Sequence, residues 1–182
     1  MSLRGRLLVA EPMLADPNFQ RSVVYLIDHG DEGALGVVLN RPSEVPVDDV
    51  VPSWAPYVSE PRTVFIGGPV SPEAAICLGR CGQGAESPLW NALSDELGVV
   101  DLNGDPLLAP AGITGLRVFA GYSGWSPGQL EAEMEMDGWF VLDAEPADLF
   151  VETADELWRR VLARQRGPLR RFASFPEDPS VN

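Results

Sequence analysis

Ser22-Val23-Val24-Tyr25-Leu26-Ile27-Asp28, followed by His29-Gly30-Asp31-Glu32-Gly33 and then by Ala34-Leu35-Gly36-Val37-Val38-Leu39, is the stretch on which the fold turns. Two apolar, β-branched runs flank a polar, glycine-containing loop of a length that lets them pair as an antiparallel hairpin. Runs of the same kind recur at Leu7–Ala10 and Thr63–Ile66, each bounded by Gly, Pro, Asp or Asn, and they read as strands. Further strands are expected at Ala74–Leu78, Gly98–Leu102, Leu116–Ala120 and Trp139–Leu142. There is also a faint internal echo: Leu35-Gly36-Val37-Val38 returns as Leu97-Gly98-Val99-Val100, and Val64-Phe65-Ile66-Gly67-Gly68 resembles Val118-Phe119-Ala120-Gly121-Tyr122.

Helices are fewer. Val47–Trp54 is expected to form a short one that Pro52 stops early. A second opens with Ser126 as N-cap, Pro127 at the first helical position and Gln129 at the third, with Leu130 and Met134 on one face. A third starts at Thr153 with Glu156 completing a capping box, carries an apolar stripe of Leu157, Trp158, Val161 and Leu162, and ends at Gly167-Pro168. At 182 residues the chain reads as one domain, residues 1–172, with the polar stretch 173–182 as a tail.

Composition excludes more chemistry than any motif supplies. The 13 basic residues are all arginine, so a Schiff-base lysine and a phosphate-loop lysine are both absent. With one histidine, His29, and two cysteines, Cys77 and Cys81, the residues assemble no conventional metal site, and no metal or organic cofactor is expected. Against 27 acidic residues the net charge is −14, which opposes direct DNA binding and binding to anionic membranes. The apolar run Leu7–Ala10 stops at Glu11, too short for a signal peptide, and no run approaches membrane-spanning length. The chain therefore reads as cytoplasmic with reduced thiols, Cys77 in the core and Cys81 beside Arg80 as the more accessible thiol.

One segment draws attention: Gly121-Tyr122-Ser123-Gly124-Trp125-Ser126-Pro127-Gly128-Gln129 reads as a strand end, a glycine-rich turn and a helix start, where free backbone donors could face an anion. It narrowly misses the Gly-x-Ser-x-Gly nucleophile elbow, because Trp125 stands where the second glycine belongs. His29, read as a solvated turn residue, lies far upstream of Ser123, the reverse of that elbow's chain order. Six arginines (Arg159, Arg160, Arg164, Arg166, Arg170, Arg171) crowd the end of the last helix, and the expected role is a solvated face that complements the helix dipole.

Gly5–Ala10, Asp16–Val23, Gly36–Pro42, Phe65–Val70, Gly121–Trp125 and Gly128–Glu131 with Trp139 occur in an order that resembles the YqgE/AlgH family, also called UPF0301 or DUF179. The arginine-only basic set is similar to its actinobacterial branch. The resemblance implies an α+β fold: a single domain whose bent, bifurcated, mostly antiparallel sheet forms a pseudo-barrel flanked by helices. It brings no established enzymatic activity with it, only an association with transcriptional regulation, and family members often carry alanine where this chain has Ser123. Its motifs supply Asp16, Phe19, Arg21, Asn40, Arg41, Pro42, Gly68, Pro69, Gly121, Tyr122, Trp125, Gln129 and Glu131.

Three functional readings follow, in order. The first is a non-catalytic binding or regulatory protein, whose partner is a protein or a small anionic ligand. The second is a hydrolase using Ser123, and the third a weak phosphate or nucleic-acid binder acting through the last helix. The expected binding surface lies where the turn after Leu39, the Gly67-Gly68-Pro69 turn and the Gly121–Trp125 segment converge. Arg21 or Arg41 would serve as the clamp for a carboxylate or phosphate, and Tyr122 and Trp125 as flat apolar area.

Overall fold

The computed structural model describes residues 2–177; residues 178–182 of the expected tail lie outside the described residues. Ten strands form one curled sheet: β1 (Arg6–Ala10), β2 (Val23–Gly30), β3 (Gly33–Val38), β4 (Pro42–Pro46), β5 (Thr63–Ile66), β6 (Val70–Arg80), β7 (Trp90–Ala92), β8 (Leu97–Val100), β9 (Gly115–Trp125) and β10 (Trp139–Asp143). The main path runs β10-β1-β2-β3-β9-β6-β8-β7, and β4 joins through β5. All pairings are antiparallel except that of β5 with β9. Two α-helices, α1 (Gln129–Glu135) and α2 (Leu157–Ala163), and several 3₁₀ turns pack on the sheet, giving the expected α+β domain.

The β2–β3 hairpin forms as its sequence requires, with Gly30 opposite Gly33. Register shifts between Leu26 and Asp28, so Ile27 is an extra residue that bends β2 where its burial gives way to exposure. The other deciding strand is β9. One of its edges pairs with β6, while the other accepts β5 at Phe119 and Ala120 and then β3 from Ser123 to Trp125. The sheet therefore forks along β9. The echo segments meet there, because Phe65 lies directly beside Phe119.

β1, β8, the first half of β2, the end of β3 and most of β9 are buried on both faces, which explains their continuous apolar runs. Leu7, Val9, Val23, Tyr25 and Val37 face inward onto α2, where Leu157, Trp158, Val161 and Leu162 form the expected stripe. Leu8, Ala10, Val24, Leu26 and Val38 face outward under Leu130 of α1 and under Trp125 and Trp139. On the other limb of the sheet Val64, Cys77, Leu116 and Val118 pack with Trp54 in a separate cluster.

Several local expectations are corrected. Gly121–Trp125 is not a turn: β9 continues through it to Trp125, and Gly121, at φ +68°, sits within the strand as it passes from Val70 toward β3. Residues 47–54 form no α-helix; 3₁₀ turns at Val47–Asp49 and Ala55–Tyr57 flank Pro52. α1 begins only at Gln129, after left-handed Gly128, although Gln129 Oε1 still accepts from the Ser126 N–H at 3.0 Å. A 3₁₀ turn at Ala154–Glu156 precedes α2, which stops at Ala163, before Gly167-Pro168. Cys81 is buried, with its thiol directed at the Ala111 carbonyl.

Two measurements test this packing. An alanine Cβ at Gly121 would sit 2.7 Å from the Gly68 carbonyl oxygen in a left-handed conformation. Gly121→Ala should therefore cost at least about 2 kcal/mol in urea unfolding. Burial pushes the Cys77 thiol up to about 12 from an ordinary value of 9. From pH 9 to 12 the unfolded chain loses a proton that the native state keeps, so this thiol lowers stability by about 1.4 kcal/mol per pH unit. Cys77→Ala should show a shallower alkaline loss than wild type over that range.

Candidate functional site

The chain between β1 and β2 folds back at Asp16, whose carbonyl accepts from the Phe19 and Gln20 N–H groups while its carboxylate accepts from the Asn18 N–H at 2.8 Å. It enters β2 through Arg21, a non-glycine residue at φ +54°. Buried Asn40 fixes that junction: its amide donates to the Arg21 carbonyl at 2.9 Å, and its side-chain oxygen accepts from the Val23 N–H at 2.9 Å. Asn40 is thus a backbone bracket, and it sets the neighbouring Arg41 beside Arg21.

The Arg21 guanidinium lies 4.4 Å from the centroid of the Trp158 ring and donates to the carbonyls of Phe175 and Pro176. Arg41 donates to the Gln20 carbonyl. With Arg159, Asp155, Asn40, Trp158 and Glu177 they line a cavity of about 200 Å³. Among the described residues neither Arg21 nor Arg41 has a carboxylate within 4 Å, whereas Arg159 reaches Glu177 at 3.8 Å. Burial lowers the pKa of both; at Arg21 the neighbouring Arg159 charge adds to the effect and the Glu177 charge partly opposes it.

The glycine segment does other work. An added Cβ at Gly67 would lie 2.3 Å from the Gly121 carbonyl oxygen, and one at Gly68 would lie 2.2 Å from the Tyr122 carbonyl. The close approach these glycines permit is made by the chain's own backbone. Ser123 is fully buried, and its hydroxyl donates to the Gly67 carbonyl at 3.0 Å. A nucleophile needs access to substrate and a base within hydrogen-bond reach, so this geometry removes the support for a hydrolase. Pro69 is exposed at the turn; with Gly68, Arg41, Pro42 and Ile66 it borders a second hollow of about 260 Å³. Tyr122 pairs with Val70 and packs on the core, away from the arginine cavity.

Trp125, Gln129 and Glu131 belong to a different region. His29 is no solvated turn residue: its side chain is only 7% exposed. Its Nδ1 accepts from the Leu3 N–H at 3.1 Å, while Nε2 meets Glu131 at 2.9 Å. Glu131 is held below the usual carboxylate range by its backbone N–H and then by His29. Trp125 and Gln129 converge instead on Glu133, which sequence reasoning passed over within an acidic run. One of its carboxylate oxygens accepts both the Trp125 and the Trp139 indole N–H at 2.9 Å, and the other accepts from the Gln129 amide at 3.0 Å. Its i+4 spacing from Gln129 was the available signal.

Nor do the six arginines form one solvated face. Arg164 is locked to buried Asp148 by two hydrogen bonds of 2.7 Å, which raise its pKa, and Arg159 belongs to the cavity. Arg117, unremarked in the sequence, is fully buried on β9. It donates to the carbonyls of Val151 and Glu60 and lies 4.2 Å from the centroid of the Phe65 ring. Burial lowers its pKa to about 10. Among the described residues no helix is long and apolar enough to cross a membrane, and no cluster of potential ligands could hold a metal.

A forked, curled sheet with an arginine-lined cavity, and with Ser123 sealed in its interior, defines an α+β domain. The AlgH-like family DUF179 matches residues 7–170, and the chain belongs to that family. It is 52% identical to a UPF0301 protein of Streptomyces coelicolor over 186 residues, covering 100% of this chain and 96% of the relative. It is 49% identical to a Mycobacterium marinum UPF0301 protein, covering 98% and 90%. A crystal structure of a Corynebacterium diphtheriae protein superposes with a TM-score of 0.89 at 35% identity, covering 94% of this chain and 92% of the other. The solution structure of the AlgH protein from Pseudomonas aeruginosa gives 0.69 at 28% identity, covering 97% and 95%.

If Ser123 is structural, Ser123→Ala should lower unfolding stability by about 1 kcal/mol, the net worth of one hydrogen bond. Ester hydrolysis by the purified protein, at whatever level it is found, should not change with that substitution.

Proposed function

We propose that this chain is a non-catalytic binding protein that takes a small anionic group, a carboxylate or a phosphate, between Arg21 and Arg41. The observation that carries this reading is that two neighbouring guanidiniums, satisfied only by backbone carbonyls, border a cavity without a carboxylate of their own within 4 Å among the described residues. Burial has already removed part of their hydration, so a ligand that supplies opposite charge there regains the interaction at a small further desolvation cost. At about 200 Å³ the cavity suits a single anionic group rather than a nucleotide. Arg159 supplies a third positive charge at the rim. Asp155 and Glu177 limit how many charges the ligand can carry.

Regulation, by this reading, runs through the liganded protein and a protein partner, and not through direct DNA contact. The acidic body repels DNA at long range, and Arg164 is taken up internally by Asp148. In the cell the reading is cytoplasmic, without a bound metal or organic cofactor.

Calorimetric titration with inorganic phosphate, succinate and duplex DNA tests this. Phosphate or succinate should bind with a Kd of about 1 mM or tighter. Arg41→Gln should weaken that affinity at least about tenfold while shifting the melting temperature by no more than about 3 °C. Arg171→Gln, on exposed Arg171, should change neither, and duplex DNA should give no signal at physiological salt. Affinity that survives Arg41→Gln and Arg21→Gln would refute the assignment.

A further inference from the structure

On the other side of the Asp16–Arg21 loop lies a cavity of about 340 Å³ with the opposite chemistry. Its walls are Phe19, Trp125 and Trp139 with Leu14 and Met136, and its polar groups are Asp16, Gln129 and Glu133. The three rings form a mutual cluster. Phe19 lies 5.9 Å from Trp125, roughly parallel to it, and 5.4 Å from Trp139, which it meets edge-on; the two tryptophans are 6.0 Å apart and nearly perpendicular.

Both indole N–H groups point at the Glu133 carboxylate and are used up there. Trp125 and Trp139 are each only 5% exposed, so the aromatic surface that the cluster offers a ligand is chiefly the half-buried ring of Phe19, and not the indole donors. Glu133 receives three hydrogen bonds from neutral groups; among the described residues neither it nor Asp16 has an arginine within 4 Å. Met136 and Met13 are both 74% exposed, and Met136 stands at the cavity wall. Exposed methionine beside a half-buried phenylalanine is apolar area left uncovered in a chain otherwise thick with acid.

From this juxtaposition we propose that the Phe19–Trp125–Trp139 cavity is a binding site for a small organic cation, an alkylammonium or trimethylammonium group. Aromatic faces attract such a cation through the ring quadrupole, and two carboxylates without a cation of their own supply the long-range field. The aliphatic part of the ligand covers Leu14 and Met136. A metal ion finds no matching donor set here, since most of the wall is ring carbon and only two carboxylates approach it. An anionic ligand is repelled by Asp16 and Glu133. The site stands apart from the arginine cavity and does not depend on that reading.

The test is calorimetric titration of the full chain with choline and tetramethylammonium, alongside 3,3-dimethyl-1-butanol, a neutral analogue of choline of nearly the same shape. The cations should bind saturably and at least about tenfold more tightly than the neutral analogue. Phe19→Leu should weaken them several-fold, as should Asp16→Asn, which keeps the turn's side-chain oxygen. Arg41→Gln should leave them unchanged, so failure of the anion site and failure of this one are separable. Equal binding of the neutral analogue would overturn the proposal, as would binding indifferent to both Phe19→Leu and Asp16→Asn, or no saturable binding of either cation.

Discussion

Where the Gly67-Gly68 turn crosses β9 beside Gly121, two backbones approach so closely that no side chain fits between them, and the fork of the sheet depends on that contact. The Gly67 N–H donates to the Ala120 carbonyl at 2.9 Å, which ties the turn to β9. Its carbonyl accepts from the Val38 N–H at 2.8 Å and from the Ser123 hydroxyl at 3.0 Å, which ties β3 and β9 to the same point. One residue thus joins the strands on either side of the fork. Once this crossing is made, β3 is fixed, and with it Leu39, Asn40 and Arg41 at its end. Asn40 then holds Arg21 through its backbone, so the arginine cavity is positioned by the glycine crossing although none of those glycines lines it.

Arg117 shows how the same strand is anchored from inside. A charge in the core is costly unless its donors are satisfied. Here the two terminal guanidinium nitrogens reach two carbonyls, of Glu60 before the β5 limb and of Val151 before α2, and the Phe65 ring lies against the group, while the buried Nε has no hydrogen-bond partner among the described residues. The arginine therefore draws two separate segments, the one around β5 and the one before α2, onto β9. Hydrogen bonds to backbone carbonyls specify position better than an ion pair would, because carbonyls are fixed by the chain and carboxylates are not.

The hairpin, most of the strands and the apolar stripe of α2 were legible because each is a local pattern: alternation, turn residues and i, i+4 spacing. The run Gly121–Trp125 was misread for a physical reason. A glycine at positive φ signals a turn in most sequences, but within a strand paired to different partners on its two limbs the same conformation makes a bend. Cys81 and His29 were misplaced because the groups that cover them, the Ala111 carbonyl and the N-terminal segment with Glu131, come from distant parts of the chain. Of the expected binding residues, Arg21, Asn40 and Arg41 do come together. Gly68, Gly121 and Ser123 lie at the crossing, and Trp125 and Gln129 gather around Glu133. One family pattern thus covers three physical tasks that the sequence could not separate.

That separation of architecture from recognition is the central claim, and ¹⁵N-edited NMR of the labelled protein titrated with phosphate tests it most directly. Backbone amides of Arg21, Asn40 and Arg41 and the guanidinium Nε–H signals of Arg21 and Arg41 should shift together, with saturation at one affinity. The amides of Gly67, Gly68 and Gly121–Gly124 should stay in place. Saturable shifts centred on the glycines, with the arginine signals unmoved, would contradict it.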